Sequence, residues 1–261
     1  MSVLVAAAGG FIGRHLAAAL PADRVRTAAH ADAAAALPGA AAAVWCGRNP
    51  RLGKPGWQVD DDPEVAFGRA CAGAGVHLLS LGTRKVYAPS PRPLAEDDPT
   101  GTADAYGRDR LAVEQALVAI PGLRLTRLRL ANVFGFEPGR PTFLGAMLDG
   151  LARDGTVRFA MSPFTPRDFL PVEDAAAMLA ALALDPPGGV VNLGSGIALP
   201  TGRLAMALLE GFGGGRLLVE DAAERDGFVL DVRRLFWRTG LAVTEAAILE
   251  AARAAGRRLR R

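Results

Sequence analysis

Tyr106 and Arg110 stand four residues apart in Ala105 to Ile120, a stretch that reads as a helix, so both face the same way. At its ordinary pKa, about 10, a tyrosine is a poor base at neutral pH. A fixed cation beside it stabilises the phenolate and lowers that pKa. Such a phenol can give a proton to, or take one from, a reacting hydroxyl or carbonyl. A second constellation opens the chain. The apolar run Val3-Leu4-Val5-Ala6 leads into Ala7-Ala8-Gly9-Gly10-Phe11-Ile12-Gly13, and Phe11 to Leu20 reads as a helix stopped at Pro21. A strand, a tight turn and a helix N-terminus make a phosphate cradle, because backbone N–H groups converge there and the helix dipole favours an anion. Gly10 allows close backbone approach to a pyrophosphate, and Gly13 allows close helix–strand packing.

These residues need a scaffold. Arg24 to Ala28, Ala41 to Cys46, Val76 to Ser80, Leu125 to Leu130 and Gly189 to Leu193 read as strands. Ala31 to Leu37, Pro63 to Ala72, Thr201 to Glu210 and Thr244 to Arg253 read as helices. Strands alternating with helices predict an α/β fold with a parallel sheet covered on both faces. The 261 residues suffice for one domain with a small lobe, and 50% hydrophobic against 22% charged residues is a globular composition. Thirty basic against 27 acidic residues is too even for a dedicated nucleic-acid binder. The Arg-rich end, from Arg253 to Arg261, reads as a solvated helix terminus. Cys46 and Cys71 are the only cysteines, which excludes a disulfide framework and suits a reducing cytoplasm. With three scattered histidines they give no metal-ligand spacing. The first residues have no basic leader, and no stretch reaches the roughly 18 apolar residues that cross a bilayer.

The glycine turn resembles the GxxGxxG turn of the extended short-chain dehydrogenase/reductases, the NAD-dependent epimerase/dehydratase family of nucleotide-sugar enzymes. Further segments carry the resemblance along the chain in order. They are Thr83-Arg84-Lys85-Val86-Tyr87, Glu96 to Pro99, Tyr106 to Gln115, Leu128 to Gly135, Arg167 to Asp174 and Asn192 to Gly196. The resemblance implies a Rossmann-like doubly wound parallel sheet over residues 1–131. Residues 132–261 would complete the sheet and form a small C-terminal substrate lobe. It implies that Thr83, Tyr106 and Arg110 are catalytic, with Thr83 holding the reacting oxygen and Arg110 standing where the family has lysine. It implies cofactor contacts at Ala7, Gly9, Gly10, Phe11, Ile12 and Gly13, at His30, and at the strand end Trp45, Cys46 and Gly47. Asn132 and Arg167 would join Thr83 in binding a nucleotide-sugar diphosphate. Read by themselves, Asn132 suits a turn and Arg167 an ion pair with Asp168 or Glu173. A homodimer packed through the catalytic helix is implied by the same likeness.

The sequence departs from the family in four places. The motif lysine is Arg110, which keeps the charge but not the geometry. The first glycine of the turn is Ala7. No acid ends the second strand, Val25 to His30, where NAD enzymes hold the adenosine ribose, so Arg26 or His30 would suit the 2′-phosphate of NADP. The connection to the third strand is too short for the further β–α unit the likeness implies. The expected activity is that of an NAD(P)-dependent nucleotide-sugar oxidoreductase, first a 4-ketoreductase of a keto-deoxysugar nucleotide, since a trimmed adenosine site suits a cofactor that comes and goes. The alternatives are an epimerase, or a redox-inactive binder of a nucleotide sugar or dinucleotide.

Overall fold

Six parallel strands form the central sheet of the computed structural model, which describes residues 2–260. They are β1 (Ser2–Ala6), β2 (Val25–Ala28), β3 (Ala40–Trp45), β4 (His77–Leu81), β5 (Leu125–Leu130) and, later in the chain, β10 (Gly189–Leu193), in the order β10-β5-β4-β3-β1-β2. Their sequences are apolar runs because both faces are covered. Alternation sends Val3 and Val5 into one core and Leu4 and Ala6 into the other. The first core is closed by α1 (Phe11–Ala19) and α5 (Val172–Leu184), the second by α2 (Pro63–Ala74) and α3 (Ala105–Val118). The remaining elements are β6 (Asn132–Phe134), α4 (Phe143–Asp154), β7 (Thr156–Phe159), β8 (Pro166–Arg167), β9 (Phe169–Pro171), β11 (Leu199–Pro200), α6 (Thr201–Phe212), β12 (Arg216–Val219), α7 (Arg233–Thr239) and α8 (Glu245–Arg260). They form three two-stranded pairings and the helices around them, α6 packing along α8.

The helices that carry the site start and stop on local signals. Asp62 caps α2 by accepting from the Glu64 N–H at 2.9 Å, Pro63 follows it, and Gly75 ends the helix in the left-handed conformation at φ 65°. Asp104 caps α3 by accepting from the Gly107 N–H at 2.8 Å.

Ala31 to Leu37 is a run of turns, not a helix. Its alanines have helix propensity but no cap, and Pro38-Gly39 cuts the run short. The chain passes from β2 to β3 through these turns alone, with no further β–α unit, so β2 is the edge of the sheet. Among the described residues no helix is long and apolar enough to cross a membrane.

Candidate active site

In a parallel sheet all strands end on one edge, and a crevice opens there where the strand order reverses. Here the reversal lies at β1, with β2 on one side and β3 on the other. Two adjoining cavities occupy that edge. The first, about 530 Å³, is lined by the turn residues Ala7, Gly10, Phe11 and Ile12 and by His30, Cys46 and Gly47. The second, about 510 Å³, is lined by Thr83, Asn132 and Arg167. Tyr106, Gly82, Ile12, Leu130, Arg48 and Arg140 border both. Tyr106 therefore stands at the junction.

The turn cavity contains most of the expected cofactor positions but not all. Gly13 lies beneath it: a Cβ there would come within 2.9 Å of the Ala7 carbonyl oxygen and the Ala8 backbone, so α1 can approach β1 only with glycine at that position. Gly9 is exposed beside the cavity without bordering it. Trp45 does not border it either. Side chains alternate along a strand, and this alternation buries the indole in the α2–α3 core. Its ring packs 4.9 Å from Phe67 and 4.8 Å from His30, and it also backs Gly47, so it adjoins the cavity through the exposed His30 ring and the Gly47 backbone. Arg26 donates to the Pro38 carbonyl at 2.7 Å and does not reach the cavity. No Asp or Glu borders this cavity among the described residues. Burial, with the Glu64 carboxylate adding, pushes the Cys46 thiol up to about 12, so it stays protonated.

Ala7 holds a left-handed backbone at φ 57°. That conformation costs an L-residue roughly 1–2 kcal/mol. Ala7→Gly should therefore stabilise the fold by about 1 kcal/mol, measured by chemical denaturation. An unchanged or lower stability would show that the turn bears no strain.

Tyr106 is the second residue of α3 and is half-buried. The helix start is drawn onto the turn that carries Thr83. Lys85 Nζ donates to Asp104 at 2.9 Å, and a Cβ on Gly107 would stand 2.3 Å from the Lys85 carbonyl oxygen. Thr83 caps its own turn, accepting from the Lys85 N–H at 3.3 Å.

Arg110 shares a cavity with Tyr106, yet its charge is balanced elsewhere, contrary to the expectation of a cation free for the phenol. Nη1 donates to Glu64 Oε2 at 2.7 Å and Nη2 to the Leu81 carbonyl at 2.9 Å. Glu64 is 1% exposed and also accepts from the Ser80 hydroxyl at 2.5 Å. Burial would lower the Arg110 pKa, but the Glu64 charge and hydrogen bond more than offset this and raise it. One atom is left over. Arg110 Nε is buried without a hydrogen-bond partner, in a side chain that borders the turn cavity. An orphaned donor there, over a glycine-packed helix start, fits a ligand with hydroxyl and phosphate oxygens, as a dinucleotide has.

In the second cavity Asn132 opens β6, and its side-chain Nδ2 is likewise buried with no partner. Arg167 is 9% exposed. Its ion-pair partner is neither Asp168 nor Glu173. Asp168 is fully buried and accepts from the N–H groups of Ser195, Gly196 and Leu230 and from the Ser195 hydroxyl. Arg167 instead pairs with Asp226 at 3.3 Å and donates to the Arg225 and Asp226 carbonyls. Burial lowers its pKa, the Asp226 charge opposes that, and the neighbouring Arg84 charge adds to it. Glu64, Arg84 and Asp226 are absent from the set expected from sequence. Glu64 looks like an ordinary first-turn acid, and only Arg84, next to Thr83, carried a local signal.

Residues 66–194 match the model of the NAD dependent epimerase/dehydratase family. No curated protein sequence matches the chain. Among solved structures, TunA, an NAD dependent NDP-hexosamine 5,6-dehydratase of tunicamycin biosynthesis, superposes with a TM-score of 0.82 at 20% identity, over 98% of this chain and 96% of that one. The UDP-glucose 4-epimerase of Thermus thermophilus, solved with NAD, gives 0.78 at 21% identity over 100% and 99%. RMD from Pseudomonas aeruginosa, solved with NADPH, gives 0.80 at 20% identity over 100% and 99%. These likenesses show the fold, and the matched segment runs from α2 through β10, across the Thr83 turn and the Tyr106 helix. By that match, residues 66–194 carry a segment of the NAD-dependent epimerase/dehydratase family.

Proposed function

We propose that the chain is an NAD(P)-dependent oxidoreductase of nucleotide sugars, and within that class a 4-ketoreductase of a keto-deoxysugar nucleotide. The observation that carries this reading is the position of Tyr106, at the junction of a glycine-turn cavity and a cavity bordered by Thr83, Asn132 and Arg167. The reduced nicotinamide supplies hydride when bound. Tyr106 gives its phenolic proton to the carbonyl oxygen, and the Thr83 hydroxyl holds that oxygen in place. The orphaned Asn132 Nδ2 and the Arg167 fork take the diphosphate. Arg110, with its unpartnered Nε beside the turn cavity, would help to hold the dinucleotide. Of the two cofactors NADP is favoured, since the exposed His30 borders a cavity without an acid.

Reduction is preferred because Arg84 and Lys85 follow Thr83, where dehydratases of the resembled family carry an acidic pair. The subunits would pair through α3, where Val118 is 57% exposed and Leu111, Ala112 and Gln115 are not fully covered by the core. The two free cysteines support a cytoplasmic setting.

One observation favours a second reading. Glu64 absorbs the charge of Arg110, as a redox-inactive binder of the same ligands would tolerate. Titration with NADH and NADPH, followed by turnover of a 4-keto-6-deoxy sugar nucleotide, separates the readings. Trp45 reports the first step through its His30 contact. Saturable binding and oxidation of either cofactor supports the reductase, and no turnover with either overturns it. Arg110→Lys sharpens the choice. A large gain of activity marks an enzyme held back by the Glu64 pair, and no gain in a silent protein marks the binder.

A further inference from the structure

Two arginines converge in the second cavity on one carboxylate. Arg84 and Arg167 come from different parts of the chain, and their side chains are only 12% and 11% exposed. Both pair with Asp226, Arg84 through Oδ1 and Arg167 through Oδ2 at 3.3 Å. The Arg84 guanidinium is fixed from behind by the Phe228 ring, 3.7 Å from its centroid, and that of Arg167 lies 5.0 Å from the Phe143 ring. The cations are thus held by packing, while the anion between them is not. Asp226 lies in an exposed stretch without regular structure, and its own side chain is 40% exposed. It has a left-handed backbone at φ 57°, one of only two described non-glycine residues that do. Asp226 also borders the cavity, whose lining includes Asn132 with its unpartnered Nδ2.

We infer that Asp226 is a resident place-holder on an anion site formed by Arg84 and Arg167, and that the diphosphate of the ligand displaces it. This rests on the nucleotide-sugar reading and adds to it a cationic residue, Arg84, and an internal competitor. The chemistry favours the exchange. Two guanidinium forks can each take a separate charged oxygen pair from a diphosphate, whereas one carboxylate must be shared between them. While Asp226 is in place the arginines are paired and the site is closed to weak anions. Ligand affinity is reduced by the cost of releasing it.

The test uses the whole chain, with inorganic pyrophosphate and the diphosphates of uridine, thymidine and guanosine as probes in calorimetric titrations. Asp226→Asn should bind pyrophosphate and the matching nucleoside diphosphate at least about fivefold more tightly than the wild type, the low end of ordinary coupling between competing contacts. Asp226→Gly, which suits the left-handed backbone, should show the same gain if the asparagine variant folds poorly. In the wild type, saturating ligand should speed tryptic cleavage after Arg225, because the segment is released. Weaker or unchanged binding by both variants, or slower cleavage with ligand, overturns the inference. Wild-type binding of a nucleoside diphosphate with no gain in the variants sinks the place-holder and leaves the nucleotide-sugar reading standing. A gain for pyrophosphate with no nucleoside diphosphate or nucleotide sugar bound does the reverse. No binding of any probe to wild type or variants overturns both.

Discussion

Glu64→Ala should lower the free energy of unfolding by about 3–5 kcal/mol, the cost of leaving one partner of a buried ion pair uncompensated. Glu64 and Arg110 are 1% and 4% exposed, so water cannot replace the lost carboxylate. The substitution also strands the Ser80 hydroxyl, whose hydrogen bond is to Glu64. Three elements meet at this pair. Glu64 lies in the first turn of α2, Arg110 belongs to α3, and the Leu81 carbonyl that accepts from Arg110 ends β4. Urea denaturation of Glu64→Ala, Arg110→Met and the double variant Glu64→Met/Arg110→Met checks the prediction. The double variant should recover most of the loss, because it leaves neither charge buried alone. A single variant that unfolds like the wild type would mean that solvent reaches the pair.

The sequence made the two ends of this site readable in unequal measure. β5 and β10 run over the residues expected, and so does the start of α1, because apolar runs bounded by glycine or proline leave little choice. The glycine turn was legible because the close packing of Gly13 on the Ala7 and Ala8 backbone is local. Pairings over long sequence separation were not. Glu64 and Arg110 are 46 residues apart, and Asp226 lies 59 residues beyond Arg167. No periodicity announces either contact. α5 was missed for another reason. Its outward stripe, Glu173, Ala177, Ala181 and Leu184, is apolar apart from Glu173, so Val172 to Leu184 shows no continuous polar face to mark a helical period. Trp45 stands at a strand end, where a cavity contact is expected, but the pleat decides which face a side chain takes, and its indole faces the core.

Tyr106→Phe should lower turnover of the keto-sugar nucleotide by about 10²–10⁴-fold, the usual worth of a positioned proton donor. Cofactor binding and stability should stay near wild type. The structure explains why the loss would be chemical. Among the described residues the Tyr106 hydroxyl makes no hydrogen bond, so its removal breaks none in the fold, whereas the ring still packs beside the α2–α3 core. The other tyrosine of the chain is the natural contrast. Tyr87 is 4% exposed, and its hydroxyl donates to Asn192 Oδ1 at 2.6 Å. Burial pushes its pKa up to about 12, against the pull of Arg129. Tyr87→Phe should cost about 1–3 kcal/mol of stability, because it strands a buried acceptor, and should leave kcat unchanged in the folded protein. The two variants, compared by denaturation and by steady-state kinetics, divide the roles cleanly. If Tyr106→Phe kept full turnover, the proton would come from elsewhere at the junction, and Thr83 with a bound water would be the next group to test.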